Sequence, residues 1–177
     1  MESLKNIVTG QFCIKKYWRL REKYINSKNG ISKLYYYIRV KRIENKNNGE
    51  TGISYHDSSA IFEGCPHFPH GLNGIIISRR SKIGKNVTIL QQVTIGTKVT
   101  SKMTDEELHA PFIGDNCYIG AGAKIIGDVK IGRNTLIGAN AVVMSDVPDN
   151  HVAVGIPARI IPSKNDYMLH KGDKNES

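Results

Sequence analysis

Six histidines, at positions 56, 67, 70, 109, 151 and 170, are the side chains of this sequence best suited to chemistry near neutral pH. An imidazole can take the proton from a hydroxyl while that hydroxyl attacks an electrophile. Their spacing argues against a metal: no two stand five apart on one strand, and Cys13, Cys65 and Cys117 form no Cys-x2-Cys pair. An odd set of cysteines so spaced reads as reduced thiols, which points to a reducing compartment and to the cytoplasm. By residue type alone, a histidine in a polar turn, such as His70 within Pro69-His70-Gly71, is a solvated side chain. Any further role depends on the frame that positions it.

The frame has two unlike parts. Residues 1–48 hold 12 Lys and Arg against 3 acids, and the remainder holds 13 against 13, so the net charge of +9 resides in an N-terminal arm. Apolar residues among its lysines and arginines recur three or four apart, which predicts helix over residues 11–46. Asn26 to Gly30 is a break rich in turn formers. The second helix is expected from Ile31 to Glu44, with Leu34, Tyr35, Ile38 and the stem of Arg42 on one face. Asn45 to Gly52 reads as a linker. The arm is expected to be a helical hairpin covering one end of the body, or alternatively a basic surface resting on a membrane. Nucleic acid is not expected as a partner. No apolar run is long enough to cross a bilayer, and the first residues lack the pattern of a secretory signal.

The body has a period of six. Ile77, Ile83, Ile89, Ile95, Ile113, Ile119, Ile125, Ile131, Ile137 and Val143 keep one phase. Glycine follows many of them, and small or β-branched residues such as Val87, Val93, Ala123, Val129, Thr135 and Ala141 hold a second position. Six is not a multiple of 3.6, so helix is excluded, and strand alternation does not demand glycine at fixed sixths. A parallel β-helix does: three hexapeptides form a triangular coil, the aliphatic residues stack inward, and glycine sits where the chain turns a corner. Residues 97–112 break the texture and are expected to form a loop thrown out from the prism. The organisation read from sequence is therefore a basic helical segment over 1–50, a β-helix over 51–162 with loop 97–112, and a mobile tail over 163–177.

The stretches Pro69-His-Gly-Leu-Asn-Gly-Ile-Ile-Ile77, Val87-Thr-Ile-Leu-Gln-Gln-Val-Thr-Ile-Gly96, Ile119-Gly-Ala-Gly-Ala-Lys-Ile-Ile-Gly127 and Val154-Gly-Ile-Pro-Ala-Arg159 resemble the serine acetyltransferase branch of the hexapeptide acyltransferases. The resemblance covers more than half of the chain and implies a left-handed prism, a fold class of mainly β with a short helical segment. It implies an acetyl-CoA-dependent O-acetyltransferase that works as a homotrimer, with acetyl-CoA as co-substrate between neighbouring prisms. In such enzymes one histidine is the general base, and it matches His70; the second family histidine matches His109. Ala121, Ala139, Met144, Ser145 and Arg159 match positions along the CoA arm and its phosphates. His67 is a neighbour of the base, while His56, His151 and His170 are read as structural or exposed. The acid that orients the base in the family falls here on Ser54 or, with a shift, on Asp57.

The sequence also departs from that branch. Pro69 and Leu108 stand where serine acetyltransferases place Asp and Arg before the two histidines, and the long helical N-terminal domain of those enzymes is replaced by a short basic one. An apolar pair does not compensate the desolvation of a zwitterion. A sugar or polysaccharide-precursor hydroxyl is accordingly the acceptor expected from sequence. Serine, and a non-catalytic β-helix scaffold with a basic arm, are the alternatives. A zinc-dependent carbonic anhydrase of the same fold is excluded by the missing His-x4-His, and a nucleotidyltransferase by the shortness of the N-terminal part.

Overall fold

The computed structural model describes residues 14–54, 59–98 and 109–163. Two helices precede the prism, α1 (Ile14–Ile25) and α2 (Gly30–Lys46), the second capped by Asn29, whose side chain accepts from the Ile31 N–H. The prism is a left-handed parallel β-helix with three faces. Face A stacks β1 (Glu50–Thr51), β3 (Ile76–Ile77), β6 (Thr94–Gly96), β9 (Lys124–Ile126) and β12 (Val142–Val143). Face B stacks β2 (Ile61–Phe62), β4 (Lys82–Ile83), β7 (Phe112–Ile113) and β10 (Lys130–Ile131). Face C stacks β5 (Thr88–Ile89), β8 (Tyr118–Ile119), β11 (Leu136–Ile137) and β13 (His151–Val154), and ends in β14 (Arg159–Pro162), which runs antiparallel to β13.

The aliphatic sixths point inward as the repeat requires. Ile83, Ile89, Ile95, Ile113, Ile119, Ile125, Ile131 and Ile137 are fully buried and form a continuous column with the small second-position residues. Each is worth about 1.5–3 kcal/mol of burial. Gly84, Gly114, Gly120, Gly132 and Gly138 are dictated by the next coil: a Cβ at Gly120 would lie 2.6 Å from the Ala139 nitrogen. A further device was not read from sequence. Asn86, Asn116, Asn134 and Asn150 all adopt left-handed backbone at one corner. Their amides form a ladder, each Nδ2 donating to the next Oδ1 at 3.0–3.2 Å. Asparagine tolerates this conformation better than most residues with a Cβ.

Pairing registers define the excursions. Ile77 pairs with Ile95 and Ile125 with Val143, a coil of 18 residues. Ile83 pairs with Ile113 and Ile95 with Ile125, a separation of 30. The 18 residues between Ile95 and Ile113 are therefore one side of the prism plus 12 inserted residues, not a full coil of three hexapeptides. The insertion preserves phase because 12 is a multiple of six. Residues 99–108, including Leu108, lie outside the described residues, as do His56, Asp57, His170 and the tail beyond 163. The first coil also begins earlier than the hexapeptide texture, at β1, because its sides are irregular: Thr51 pairs with Ile77 and Phe62 with Ile83.

The helical hairpin is fastened to this first coil by polar groups. Glu44 is fully buried and accepts from the Tyr17 hydroxyl at 2.9 Å, the Thr51 N–H at 3.0 Å and the Thr51 hydroxyl at 2.8 Å. Lys41 Nζ stands 3.0 Å from its other oxygen. Arg21 donates to the Ala60 carbonyl at 2.9 Å and lies over the Phe62 ring, while Trp18 packs on Phe62 and Phe68. Leu34, Tyr35 and Ile38 do share one face of α2, but that face is exposed, and Val40 and Glu44 are the residues buried on the other. Apolar residues occur on both sides of α2, and the side that carries Glu44 is chosen because Tyr17, Thr51 and Lys41 can satisfy that carboxylate.

Candidate active site

His70 lies in the turn joining face C to face A. His67 pairs with Thr88 on face C, and Ile76 pairs with Thr94 on face A, so nine residues here do the work of six in the next coil. The three extra residues form an excursion that carries His70 outward, and His70 is exposed. Its base is rigid. Phe68 and Leu72 are buried on either side, Gly71 and Gly74 take left-handed backbone, and the Gly74 N–H is held by the Asn47 carbonyl at 3.1 Å. His109 is also exposed, but it ends the inserted loop two residues before Pro111, whose carbonyl accepts from the Lys82 N–H at 3.2 Å. From the pairing of Lys82 with Phe112, His109 is level with Arg79 at the corner between faces A and B. One chain thus places the two histidines on different corners. A prism side of five or six residues, about 15–20 Å at strand rise, separates those corners.

The residues matched to CoA divide in the same way. Ala121 and Ala139 stand on the corner of His70, half-buried and exposed respectively. Met144 and Ser145 are exposed on the other corner, that of His109, and Arg159 is exposed at the start of β14. Ser54 is on the His109 corner too: its N–H donates to Ser59 Oγ at 3.2 Å, and the adjacent Gly52 packs on Ser78 and Arg79. Between this corner and α2 opens a cleft of about 500 Å³, bordered by Tyr37, Lys41, Glu50, Ser54, Ser78 and Arg79. Burial alone would lower the Lys41 pKa, but the carboxylates of Glu44 and Glu50 outweigh it and hold the ammonium above its usual range. The cleft therefore presents both signs of charge.

Two polar residues escaped the sequence reading. Lys124 reaches from face A to the carbonyls of Gln92 at 2.9 Å and Gly122 at 3.0 Å, tying together the coils above His70. Gln91 lies level with Ala121, and its side-chain oxygen is buried without a hydrogen-bond partner among the described residues. Nothing in their spacing distinguished these polar residues from solvated corner positions. Among the described residues no cluster of His, Cys, Asp and Glu could hold a metal ion.

Residues 110–145 match the family described as bacterial transferase hexapeptide (six repeats). A serine acetyltransferase of Staphylococcus aureus (strain Mu50) is 40% identical over 125 residues, 71% of this chain and 56% of that protein. An alignment of that length in a chain of 177 necessarily passes through both His70 and His109. Over its hexapeptide repeats the chain is similar to serine acetyltransferases. A serine acetyltransferase of Mycobacterium tuberculosis is 40% identical over 111 residues, 63% of this chain and 46% of that protein. Among solved structures, a serine acetyltransferase in complex with CoA has a TM-score of 0.61 at 31% identity, covering 84% of this chain and 55% of its own. Soybean serine acetyltransferase complexed with serine has a TM-score of 0.52 at 41% identity, over 58% and 40% of the two chains. This hexapeptide-repeat protein spans about half the length of the curated relatives it matches.

Proposed function

We propose that this protein is a cytoplasmic acetyl-CoA-dependent O-acetyltransferase that acts as a homotrimer, with the serine hydroxyl as acceptor. What carries the reading is the 40% identity to serine acetyltransferase through the stretch that holds both histidines. The relatives weigh against the sugar hydroxyl expected from Pro69 and Leu108.

In this mechanism His70 removes the hydroxyl proton as the oxygen attacks the thioester carbon. The tetrahedral intermediate collapses with CoA thiolate leaving, and the proton held by His70 passes to that thiolate. No covalent enzyme intermediate is needed. Because His70 and His109 occupy different corners, a site using both is completed between two prisms. The corner bearing His70, Ala121 and Ala139 then faces the neighbour's corner bearing His109, Met144 and Ser145, with Arg159 near the phosphates of CoA.

The test is loss of the acetyl-CoA thioester absorbance with serine, compared with a panel of sugars, alongside calorimetric titration with CoA and light scattering. Serine-dependent turnover by a trimer binding one CoA per chain is the expected result. Turnover with a sugar and not with serine would move the acceptor to the second reading, which Pro69 directly before His70 favours. A folded protein that binds no CoA would replace the enzyme with the scaffold reading.

A further inference from the structure

The helical hairpin carries a surface that acetyl transfer does not use. Between α1 and α2 runs a groove of about 540 Å³, bordered by Lys15, Lys16, Arg19, Lys23 and Arg39 over the rings of Tyr35 and Tyr36. Among the described residues no carboxylate borders it. Among the described residues Lys15, Lys16, Arg19 and Lys23 form no ion pair, and Lys23 lies over the Tyr36 ring. Arg21 and Lys41 point instead toward the prism, where Arg21 donates to the Ala60 carbonyl and Lys41 pairs with Glu44 and Glu50.

Beside the groove lies an apolar stripe. Ile31, Leu34, Tyr35 and Ile38 share one side of α2, and Ile25 ends α1 next to them across the turn. All five are exposed, Ile31 to 82%. Tyr35 belongs to both features, with its hydroxyl accepting from Arg39 at 2.6 Å, so the cationic groove and the apolar stripe are continuous.

We infer that the hairpin docks on an anionic phospholipid surface, its Lys and Arg side chains against the phosphates and the Ile31, Leu34 and Ile38 side chains in the acyl boundary. Each feature excludes a different competitor. Nucleic acid would use the cations but leave the aliphatic stripe in water. A second copy of the hairpin would bury the stripe but set one cationic groove near another, since the excess positive charge of the chain is in residues 1–48 and the rest is neutral. An anionic bilayer surface satisfies both features. No helix among the described residues is long and apolar enough to cross a membrane, so the contact is peripheral. This inference does not depend on which hydroxyl accepts the acetyl group.

The experiment is co-sedimentation of the full chain with vesicles of phosphatidylcholine alone and of phosphatidylcholine mixed with phosphatidylglycerol, at low and high salt. Binding is expected only with phosphatidylglycerol and should weaken as salt rises. The triple variant Lys16→Glu, Arg19→Glu, Lys23→Glu should partition at least about 100-fold more weakly, since each surface cation is worth roughly fivefold. The variant Ile31→Ser, Leu34→Ser, Ile38→Ser keeps every charge, and should lose roughly tenfold or more through the apolar contact. Circular dichroism verifies that both variants remain folded. Undiminished vesicle binding by either variant would overturn the inference. So would a change in molar mass of the serine variant in light scattering, which would make the stripe a subunit interface, or binding of duplex DNA in place of vesicles at the same salt.

Discussion

Replacing Tyr17 by Phe should undock the helical hairpin before the prism unfolds. The Tyr17 hydroxyl lies in a fully buried cluster, donating to Glu44 and in contact with Thr51 Oγ1. Its loss removes one hydrogen bond to a buried carboxylate, worth about 1.5–3 kcal/mol. Glu44 keeps Thr51 and Lys41, so the cluster is weakened and not left without partners. Urea denaturation followed by fluorescence reads this directly, because Trp18, the single tryptophan, is packed between the hairpin and Phe62. The fluorescence midpoint should fall while the far-ultraviolet transition of the prism stays near its original position.

The same hydroxyl supplies a pH test. Burial, with the Glu44 carboxylate adding to it, raises the Tyr17 pKa well above its usual 10.0. Its contribution to docking is then complete below pH 10 and is lost as pH climbs from there toward the folded value. Trp18 fluorescence should therefore report weaker docking above pH 10 in the native chain, with a smaller change in Tyr17→Phe. A Tyr17→Phe protein whose fluorescence transition coincides with the native one in urea would refute the assignment of the joint to this cluster.

His70→Ala should lower turnover by about 100-fold or more while CoA affinity stays nearly the same, measured by steady-state rates and calorimetry. Burial pushes the Cys117 thiol up to about 12, whereas Cys65 is exposed. Peptide mapping after brief iodoacetamide treatment at pH 7.5 should find Cys65 labelled and Cys117 protected until denaturant is added. Gly120→Ala should cost several kcal/mol or prevent folding, read from thermal melts, because its Cβ meets backbone of the next coil and not a movable side chain. Asn134→Ala removes the amide from the middle of the ladder at a residue with φ of 55°, and should lower stability by about 1–2 kcal/mol in the same melts.

The prism was legible because its rule is local and repeated: each isoleucine has one inward place, and most of the glycines that follow have a neighbour in the next coil that forbids a side chain. The hairpin was legible as helix but not in its orientation. Periodicity reports that α2 has apolar residues, whereas the choice of face depends on Tyr17 and Thr51, which meet Glu44 only after folding. The asparagine ladder was hidden for a related reason: asparagine at a polar corner looks like solvent-facing filler until registers of 30, 18 and 16 residues align its four members. His70 was singled out through resemblance. The three-residue excursion that displaces it became visible only when His67 and Thr88 fixed the register on one side of the turn.

The reversal of direction at β14 has a consequence for assembly. Among the described residues every other strand pair is parallel, and a stack of parallel coils with an open last coil is a template on which another chain could grow, as fibrils do. Here β14 covers the free edge of β13 with antiparallel backbone, and the turn from Gly155 to Ala158 occupies the Val142 N–H and carbonyl on face A. At the opposite end α2 packs against β1. The ends of the described column are thus covered on these faces, which removes edges from which end-to-end polymerisation could start.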